Sequence, residues 1–336
     1  MCGIVGYIGA RDASEIILDG LRRLEYRGYD SAGLAVIEGG KFEIRRDAGK
    51  LNRLVRLVDA DPVHGHIGIG HTRWATHGEP SARNAHPHIG ATGDVVVVHN
   101  GIVENFLSLR DELASEGIEF RSETDTEVIV QLVDRYIDLG HDLTEAARLA
   151  IAQLDGAHGI VLLSTREPDK IVAARLGNAG GVVIGKGDGE MFIASDIPAI
   201  LEHTRNMVFL EPSQMAVITQ DDYQVLTLEG EPIQTEVQTV PWDPVSAEKG
   251  EYKHFMLKEI YEQVRSTTDT IGGRVDFDEG RILLPQLNLT PELANRINRI
   301  VITACGNAAH AGMVGKVLIE RIARIPVEVD IASEFR

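Results

Sequence analysis

The spacing of short apolar runs is the feature that most restricts how this chain can fold. Strand-like runs fall into two groups, at residues 3–9, 32–38, 41–46, 66–71 and 94–99, and at residues 159–164, 171–176, 181–185, 191–194, 207–210 and 215–219. Amphipathic helical patterns lie at residues 13–24, 51–60, 105–116, 124–139 and 143–154. Many strands with helices in two batches predict an α+β fold, in which sheets are layered against helices.

The last third of the chain has a different pattern. A helical segment at 252–271 is followed by a helix at 291–299, an apolar strand at 300–304, a helix to about residue 322 and a strand at 327–332. We therefore predict a first domain at 1–233, a linker at 234–250 and a last part at 251–336. A lone βαβ unit exposes both sheet edges, so either it docks on the first domain or the natural protein continues beyond Arg336, and we expect the second.

Charge and cysteine usage exclude several classes of function. The 336 residues carry a formal net charge of -18, which argues against nucleic acid or an anionic membrane as a partner. Cys2 and Cys305 make no disulfide framework, and no apolar stretch is long enough to span a bilayer. We expect a cytoplasmic protein in which Cys305 is a small buried residue.

Cys2 is the first candidate for chemistry. Methionine before a small residue is normally excised, which would leave Cys2 with a free α-amine. An α-amine has a pKa of about 7.7–8.0, so it can act as the general base for the thiol of the same residue. The alternative is a small buried residue that opens the first strand, and position alone does not separate the two interpretations.

Several blocks of sequence favour the nucleophile. The start, MCGIVG, resembles that of the class II glutamine amidotransferases. The blocks that resemble the glutamine–fructose-6-phosphate aminotransferase family are LEYRGYDSAG at 24–33, HTRWATHGEP at 71–80, NAHPH at 84–88, HFMLKEIYEQ at 254–263 and ASEFR at 332–336. The resemblance covers the whole chain in order. It implies the αββα sandwich of the N-terminal-nucleophile hydrolases, followed by a linker and the first βαβ unit of an α/β sugar-isomerase (SIS) domain.

The resemblance also implies how glutamine is bound. Arg73 would hold the α-carboxylate through a bidentate fork, which lysine does not reproduce. Asp125 would pair with the α-ammonium, although Thr124 and Asp125 could instead cap the helix that follows. Trp74, Thr76 and His77 are similar to the family's loop that closes over the substrate and excludes water. Trp74 could also be a plain core aromatic, and Arg27 and Gly28 are interpreted as structural support.

Asn100 and Gly101 follow the predicted strand at 94–99. The resemblance implies that the Asn100 side-chain amide and the Gly101 N–H form the oxyanion hole of the acyl-transfer reaction. Asn-Gly is also the commonest hairpin-turn dipeptide, and spacing alone favours that alternative.

Five histidines, at 71, 77, 86, 88 and 99, lie close together in the sequence. No Asp, Glu or Cys stands near them at the spacing of metal ligands, so we predict no metal site and no cofactor.

The tail segment around Gly306, Asn307 and Ala308 is similar to the first phosphate-binding loop of a sugar-isomerase domain. Asn307 and Ala308 replace hydroxyl residues of the usual family pattern, while Asn can still cap the helix.

We therefore predict a glutaminase that, in the full-length protein, supplies ammonia to fructose-6-phosphate to give glucosamine-6-phosphate. From the family we also expect a homodimer, and from the net charge we expect neither nucleic acid nor a membrane as a partner. The alternatives are a different ketose-phosphate acceptor or a non-catalytic sensor of glutamine or sugar phosphate.

Overall fold

The apolar runs of the first 241 residues form two antiparallel sheets in the computed structural model, which describes residues 2–177, 181–241, 252, 254–276, 278–284, 287 and 289–335. The chain divides into two compact units, Met1–Glu251 and Tyr252–Arg336. Of the predicted linker, residues 242–250 lie outside the described residues. The predicted domain boundaries therefore stay a prediction. Within the described ranges, no helix is long and apolar enough to cross a membrane.

The first sheet has eight strands among the described residues. They are β1 Gly3–Ile8, β2 Ser31–Glu38, β3 Lys41–Ala48, β4 Ile67–Arg73, β9 Val183–Lys186, β10 Met191–Ala194, β11 Asn206–Phe209 and β15 Gln238–Thr239. Their order across the sheet is β15-β11-β9-β10-β1-β4-β2-β3. Strand β1 lies between β10 and β4, and its register with β4 sets Gly3 opposite Thr72.

The second sheet has seven strands in the described part of the chain. They are β5 His88–Ile89, β6 Val95–Gly101, β7 His158–Ser164, β8 Ile171–Leu176, β12 Gln214–Ile218, β13 Tyr223–Thr227 and β14 Pro232–Ile233. Their order is β14-β13-β12-β8-β7-β6-β5. Asn100 and Gly101 lie inside β6, paired with Gly159 and His158 of β7. The hairpin-turn alternative for Asn-Gly is therefore wrong.

Helices cover the outer face of each sheet. Helices α1 Ala13–Arg23 and α2 Leu51–Ala60 pack on the first sheet, and α3 Phe106–Ser115, α4 Glu127–Asp138 and α5 Leu143–Ile151 pack on the second. Local chemistry sets where α1 begins and ends, because Asp12 accepts a hydrogen bond from the Ser14 N–H (2.9 Å) and basic residues fill the last turn.

Three apolar cores separate these layers. One lies between α1, α2 and the first sheet, and one lies between the second sheet and its three helices. The third lies between the two sheets and includes Ile4, Ile69, Val98, Val161 and Ile193. The first unit is therefore a four-layer αββα sandwich. This agrees with the layered α+β fold that the sequence pattern predicts.

The second unit contains the predicted strand–helix–strand segment. Its elements are α6 Phe255–Ile271, β16 Val275–Asp276, β17 Arg281–Ile282, α7 Pro291–Ala294, β18 Ile300–Ala304, α8 Gly306–Ile322 and β19 Val327–Ile331. Strands β18 and β19 pair in parallel, with Ile300 opposite Val327, which confirms the βαβ prediction. The helix predicted at 291–299 ends at Ala294, because the asparagines at 295 and 298 favour helix poorly. Cys305 is exposed, so its predicted burial is wrong; it precedes α8 at an open turn.

Candidate active site

Strand alternation gives the same orientation to two of the predicted site residues, Cys2 and Arg73, and to His71. In β1, Ile4 and Ile8 point into the core between the sheets. Cys2 is two residues before Ile4, so it faces the same side of the sheet. In β4, Ile67 and Ile69 point into the same core, and two steps further come His71 and Arg73.

The second sheet supplies the facing side chain. Val96 and Val98 of β6 point into the core between the sheets, so Asn100 faces the same layer. The β1–β4 register sets Cys2 beside the end of β4, and Asn100 reaches it from the opposite sheet. Cys2, His71, Arg73 and Asn100 are thus brought together at one edge of the layer between the sheets.

Cys2 is held through both its side chain and its backbone. The Trp74 N–H donates to Cys2 Sγ (3.1 Å), and the thiol lies 3.6 Å from the Trp74 carbonyl oxygen. The Cys2 carbonyl accepts from Arg27 Nε and from Asn100 Nδ2, each at 3.1 Å. These contacts fix the position of the sulfur relative to the ends of β4 and β6.

The raised pKa of the Cys2 thiol means that the thiol needs a base before it can react. Burial raises the pKa of the Cys2 thiol, while the Trp74 N–H and the charges of Arg73 and Arg27 act to lower it. A thiol with a raised pKa is protonated at neutral pH and is a poor nucleophile until a base takes its proton. The predicted base is the Cys2 α-amine after loss of Met1, and Met1 lies outside the described residues.

Gly101 occupies a backbone conformation that favours glycine, with φ of 139°. A Cβ at this position would lie 2.3 Å from the Ala157 carbonyl oxygen and 2.8 Å from His99 Nε2. Substitution would therefore displace the end of β6, which carries Asn100. The oxyanion role of Asn100 and Gly101 stays a prediction. The Asn100 amide donates to the Cys2 carbonyl oxygen, so it is close to the candidate nucleophile.

Arg73 is only 4% exposed and has unused hydrogen-bonding capacity. One terminal nitrogen donates to the carbonyl oxygens of His77 and Gly78, the latter at 3.1 Å. The other terminal nitrogen is buried without a hydrogen-bond partner among the described residues. Burial lowers the pKa of the Arg73 guanidinium, and nearby negative charge at Cys2 and Asp125 opposes that effect. A buried, unpaired guanidinium N–H is a ready partner for an anion.

Asp125 lies just before α4 and is 3% exposed. The Val103 N–H donates to its Oδ2 at 2.8 Å. Helix α4 begins at Glu127 with Thr126 as its N-cap residue, and the Thr124 hydroxyl contacts His88 Nε2 (3.0 Å) instead. The alternative in which Thr124 and Asp125 cap this helix is therefore wrong. The aspartate is positioned by a loop contact and keeps its second oxygen for another partner.

The loop after β4 carries the three predicted lid residues. Trp74 is 46% exposed and meets the Tyr29 ring edge-on, at 5.6 Å between centroids, so the core-aromatic alternative is wrong. Thr76 is exposed, and His77 packs its ring on Phe106 at 5.2 Å. The loop is tied down where the Ala75 N–H donates to Asp30 Oδ2 (2.9 Å).

Arg27, interpreted from the sequence as structural support, is in direct contact with Cys2. Its Nε bonds the Cys2 carbonyl and its NH1 forms an ion pair of 2.7 Å with Asp196. The hydroxyl of Tyr26 also donates to Asp196 (2.8 Å), and the partial burial of Tyr26 together with this hydrogen bond raises its pKa to about 12. Asp196 follows β10, far along the chain, and no local sequence signal links it to Cys2.

Gly28 packs closely against the backbone of Arg73 and Trp74. A Cβ there would lie 2.7 Å from the Arg73 carbonyl carbon and 2.9 Å from the Trp74 nitrogen. Any larger residue at Gly28 would push away the backbone that donates to Cys2 Sγ.

Four of the five clustered histidines form a buried layer beneath the site, and a fifth member comes from β7. His71 stacks on His86 (4.2 Å between centroids), and His86 packs on His88 (4.7 Å). His99 bonds Thr126 Oγ1 (2.9 Å) and His158 Nδ1 (3.1 Å). Among the described residues, no group of three His, Cys, Asp or Glu side chains could hold a metal ion. The rings bond each other, threonine hydroxyls and the backbone.

The tail residues Gly306, Asn307 and Ala308 begin α8 in the second unit, where all three are exposed. Gly306 has φ of 58°, which suits a tight turn from β18 into the helix. Their role in binding sugar phosphate stays a prediction.

The histidine layer predicts that the protein loses stability in mild acid. Burial lowers the pKa of His71 to about 3 and the pKa values of His86, His88 and His99 well below their usual value. Below a pH of about 6.5 these histidines become protonated in the unfolded chain but stay neutral in the folded protein. Each of them therefore lowers the free energy of unfolding as the pH falls. Between pH 7.5 and 5.5 His71 alone should lower the free energy of unfolding by an amount on the order of 1 kcal/mol.

The measurement is the urea midpoint at the two pH values. Carboxylates stay ionised across this range, so histidine titration dominates the change. A control is His64→Asn, because His64 is exposed on its side chain and its pKa is raised by Asp12; this variant should still show the fall. A urea midpoint that does not change from pH 7.5 to 5.5 would contradict the expectation.

Comparison with known proteins identifies the family. Residues 59–241, more than half of the chain, match the sequence model of the glutamine amidotransferase domain. The glutamine–fructose-6-phosphate aminotransferases (isomerizing) of Caldanaerobacter subterraneus subsp. tengcongensis and Symbiobacterium thermophilum are each 50% identical over 336 residues. The chain covers all of its own length in these matches but 54% of each relative, so it spans about half the length of these relatives.

A solved structure supports the fold. The glutamine phosphoribosylpyrophosphate amidotransferase of B. subtilis, complexed with ADP and GMP, superposes with a TM-score of 0.61 at 19% identity, over 98% of this chain and 65% of that one. This likeness confirms the predicted αββα architecture of the N-terminal-nucleophile hydrolases. Because the match over residues 59–241 covers more than half of the chain, the chain belongs to the glutamine amidotransferase family.

Proposed function

We propose that the chain hydrolyses L-glutamine to glutamate and ammonia, with Cys2 as the nucleophile after loss of Met1. The observation that carries the proposal is the contact set of Cys2. Its sulfur accepts from the Trp74 N–H at 3.1 Å, and its carbonyl accepts from the Asn100 amide at 3.1 Å. A thiol thus lies beside an amide donor, next to a buried guanidinium whose second nitrogen has no partner among the described residues.

The two charged groups suit the two ends of an amino acid. The spare nitrogen of Arg73 would bind the α-carboxylate of glutamine, because a charge-assisted hydrogen bond satisfies a buried donor best. Asp125 would accept from the α-ammonium with the oxygen that Val103 does not use. The side-chain amide of glutamine would then reach Cys2.

The reaction follows from these positions. The Cys2 α-amine takes the thiol proton, and the sulfur attacks the amide carbon to form a tetrahedral oxyanion, which Asn100 and Gly101 stabilise. The protonated amine returns its proton to the departing nitrogen, so ammonia leaves and a glutamyl thioester remains. Water, deprotonated by the same amine, then attacks the thioester, and glutamate and the free thiol are released.

Trp74, Thr76 and His77 would close over bound glutamine. Trp74 is largely exposed and the buried Nδ1 of His77 has no partner among the described residues, so both can change contacts when a ligand binds. Closure would exclude water and protect the ammonia.

In a protein of the relatives' length, we propose that the ammonia is transferred to fructose-6-phosphate to give glucosamine-6-phosphate. The support is the identity of 50% with two proteins named glutamine–fructose-6-phosphate aminotransferase. In this proposal residues 1–233 are the glutaminase, and residues 251–336 begin the sugar-isomerase part, where Gly306, Asn307 and Ala308 would approach the sugar phosphate. We propose that the protein acts in the cytoplasm as a homodimer and that the reaction needs no cofactor.

The proposal is tested by glutamate release from L-glutamine. The purified chain should release glutamate and ammonia in equal amounts, and Cys2→Ala should release neither, because it keeps a small residue after Met1 but has no nucleophile. A wild-type chain that binds glutamine without releasing glutamate would favour the sensor alternative and contradict the proposal.

Arg73→Lys should raise the KM for glutamine about 10- to 100-fold with a smaller change in kcat. Lysine keeps the charge but loses the planar fork, and a lost charge-assisted hydrogen bond costs about 1.5–3 kcal/mol. The matched control is Arg22→Lys on the exposed face of α1, where the Arg22 side chain is 57% exposed beside Asp19. Equal KM values for Arg73→Lys and Arg22→Lys would contradict the proposed role of Arg73 in binding glutamine.

A further inference from the structure

His71 lies directly beneath the amide of Asn100. Its Nε2 is 3.1 Å from Asn100 Oδ1 and 3.1 Å from the His99 carbonyl oxygen. The residue is 1% exposed, and its ring is packed on the ring of His86. His71 therefore has a fixed position in contact with one of the predicted oxyanion donors.

The neighbours of His71 determine which ring nitrogen carries the proton. Both groups at Nε2 are oxygen atoms, and a carbonyl oxygen can only accept. Nδ1 is buried and has no partner among the described residues. The Nε2–H tautomer gives the ring two acceptors, whereas the Nδ1–H tautomer would set a nitrogen lone pair against two oxygens. The buried ring is thus held as an N–H donor to Asn100.

The same contact determines the orientation of the Asn100 amide. With Oδ1 bonded to His71, Nδ2 points toward Cys2 and donates to its carbonyl at 3.1 Å. A flipped amide would set the NH₂ group against the His71 N–H and its oxygen against the Cys2 carbonyl oxygen. Both contacts would become repulsive, so only one orientation is compatible with the Nε2–H tautomer.

We propose that His71 is a positioning residue, which holds the Asn100 amide with its NH₂ group toward Cys2, ready for the oxyanion. The inference rests on the proposed glutaminase function. His71 does not touch the substrate; it acts through Asn100. A preorganised donor stabilises charge that develops in the transition state without any reorganisation when the reaction occurs. His71 should therefore contribute to kcat and very little to the binding of glutamine.

The first test is a double-mutant cycle in glutamate release. His71→Leu removes the donor at similar volume, and should lower kcat about 10- to 100-fold with KM changed less than about twofold. His71→Gln supplies an amide N–H near the position of Nε2 and should recover most of kcat. In an Asn100→Ala background, His71→Leu should lower kcat by less than about twofold, because the residue it orients is gone.

A matched control is His141→Gln, an exposed histidine in the turn between α4 and α5, which should leave kcat unchanged. The thermal unfolding midpoint of each variant shows whether a loss of kcat reflects a loss of folded protein. An equal loss from His71→Leu in the wild-type and Asn100→Ala backgrounds would overturn the proposal, as would no rescue by His71→Gln when that variant is folded.

The second test does not depend on catalysis. Nitrogen-15 NMR of the imidazole rings of the wild-type protein, with the His71 signals assigned by their loss in His71→Gln, reports the tautomer directly. The proposal requires the neutral Nε2–H form, and an Nδ1–H form would overturn it. A wild-type protein that is inactive on glutamine but shows the Nε2–H form would contradict the proposed function and leave the orientation of Asn100 supported.

Discussion

The antiparallel pairing of β1 with β4 is the interaction on which the candidate site depends. It sets Gly3 opposite Thr72, so that Cys2 meets the backbone at Trp74, 72 residues away in the sequence. The approach is close because glycines line it. A Cβ on Gly3 would lie 2.6 Å from Thr72 Oγ1, and one on Gly28 would lie 2.7 Å from the backbone of Arg73. Cys2 is thereby held beside the end of β4 by hydrogen bonds to its sulfur and to its carbonyl oxygen.

The second constraint is that polar groups lie in the layer between two sheets, where water is largely excluded. In this layer the imidazoles remain neutral, and the guanidinium of Arg73 and the thiol of Cys2 are both shifted toward their uncharged forms by burial. Burial of unpaired polar groups costs stability. In our account the protein tolerates this cost because an incoming ligand finds preorganised donors that have little water to displace.

How much the sequence reveals can be seen from particular residues. Periodicity predicts the layers and most of the strands, because inward-facing positions are strongly apolar; short polar strands such as β13, Tyr223–Thr227, carry too weak a pattern. The family resemblance suggests Cys2, Arg73, Asn100 and Asp125 as site residues, and their roles stay predictions. The Arg27–Asp196 ion pair and the His71–Asn100 contact were not predicted, because they join distant segments of the chain through side-chain geometry that no local pattern encodes. The capping alternative for Asp125 fails for the same reason, because the side chain accepts from the distant Val103 N–H.

The most direct test of the central claim is the intact mass of the protein after incubation with 6-diazo-5-oxonorleucine, an electrophilic analogue of glutamine, followed by peptide mapping. The account predicts loss of Met1 and a single adduct on Cys2, with labelling blocked by excess glutamine and absent from Cys2→Ala. A protein that retains Met1 and stays unmodified, or one labelled only at Cys305, would contradict the N-terminal-nucleophile mechanism.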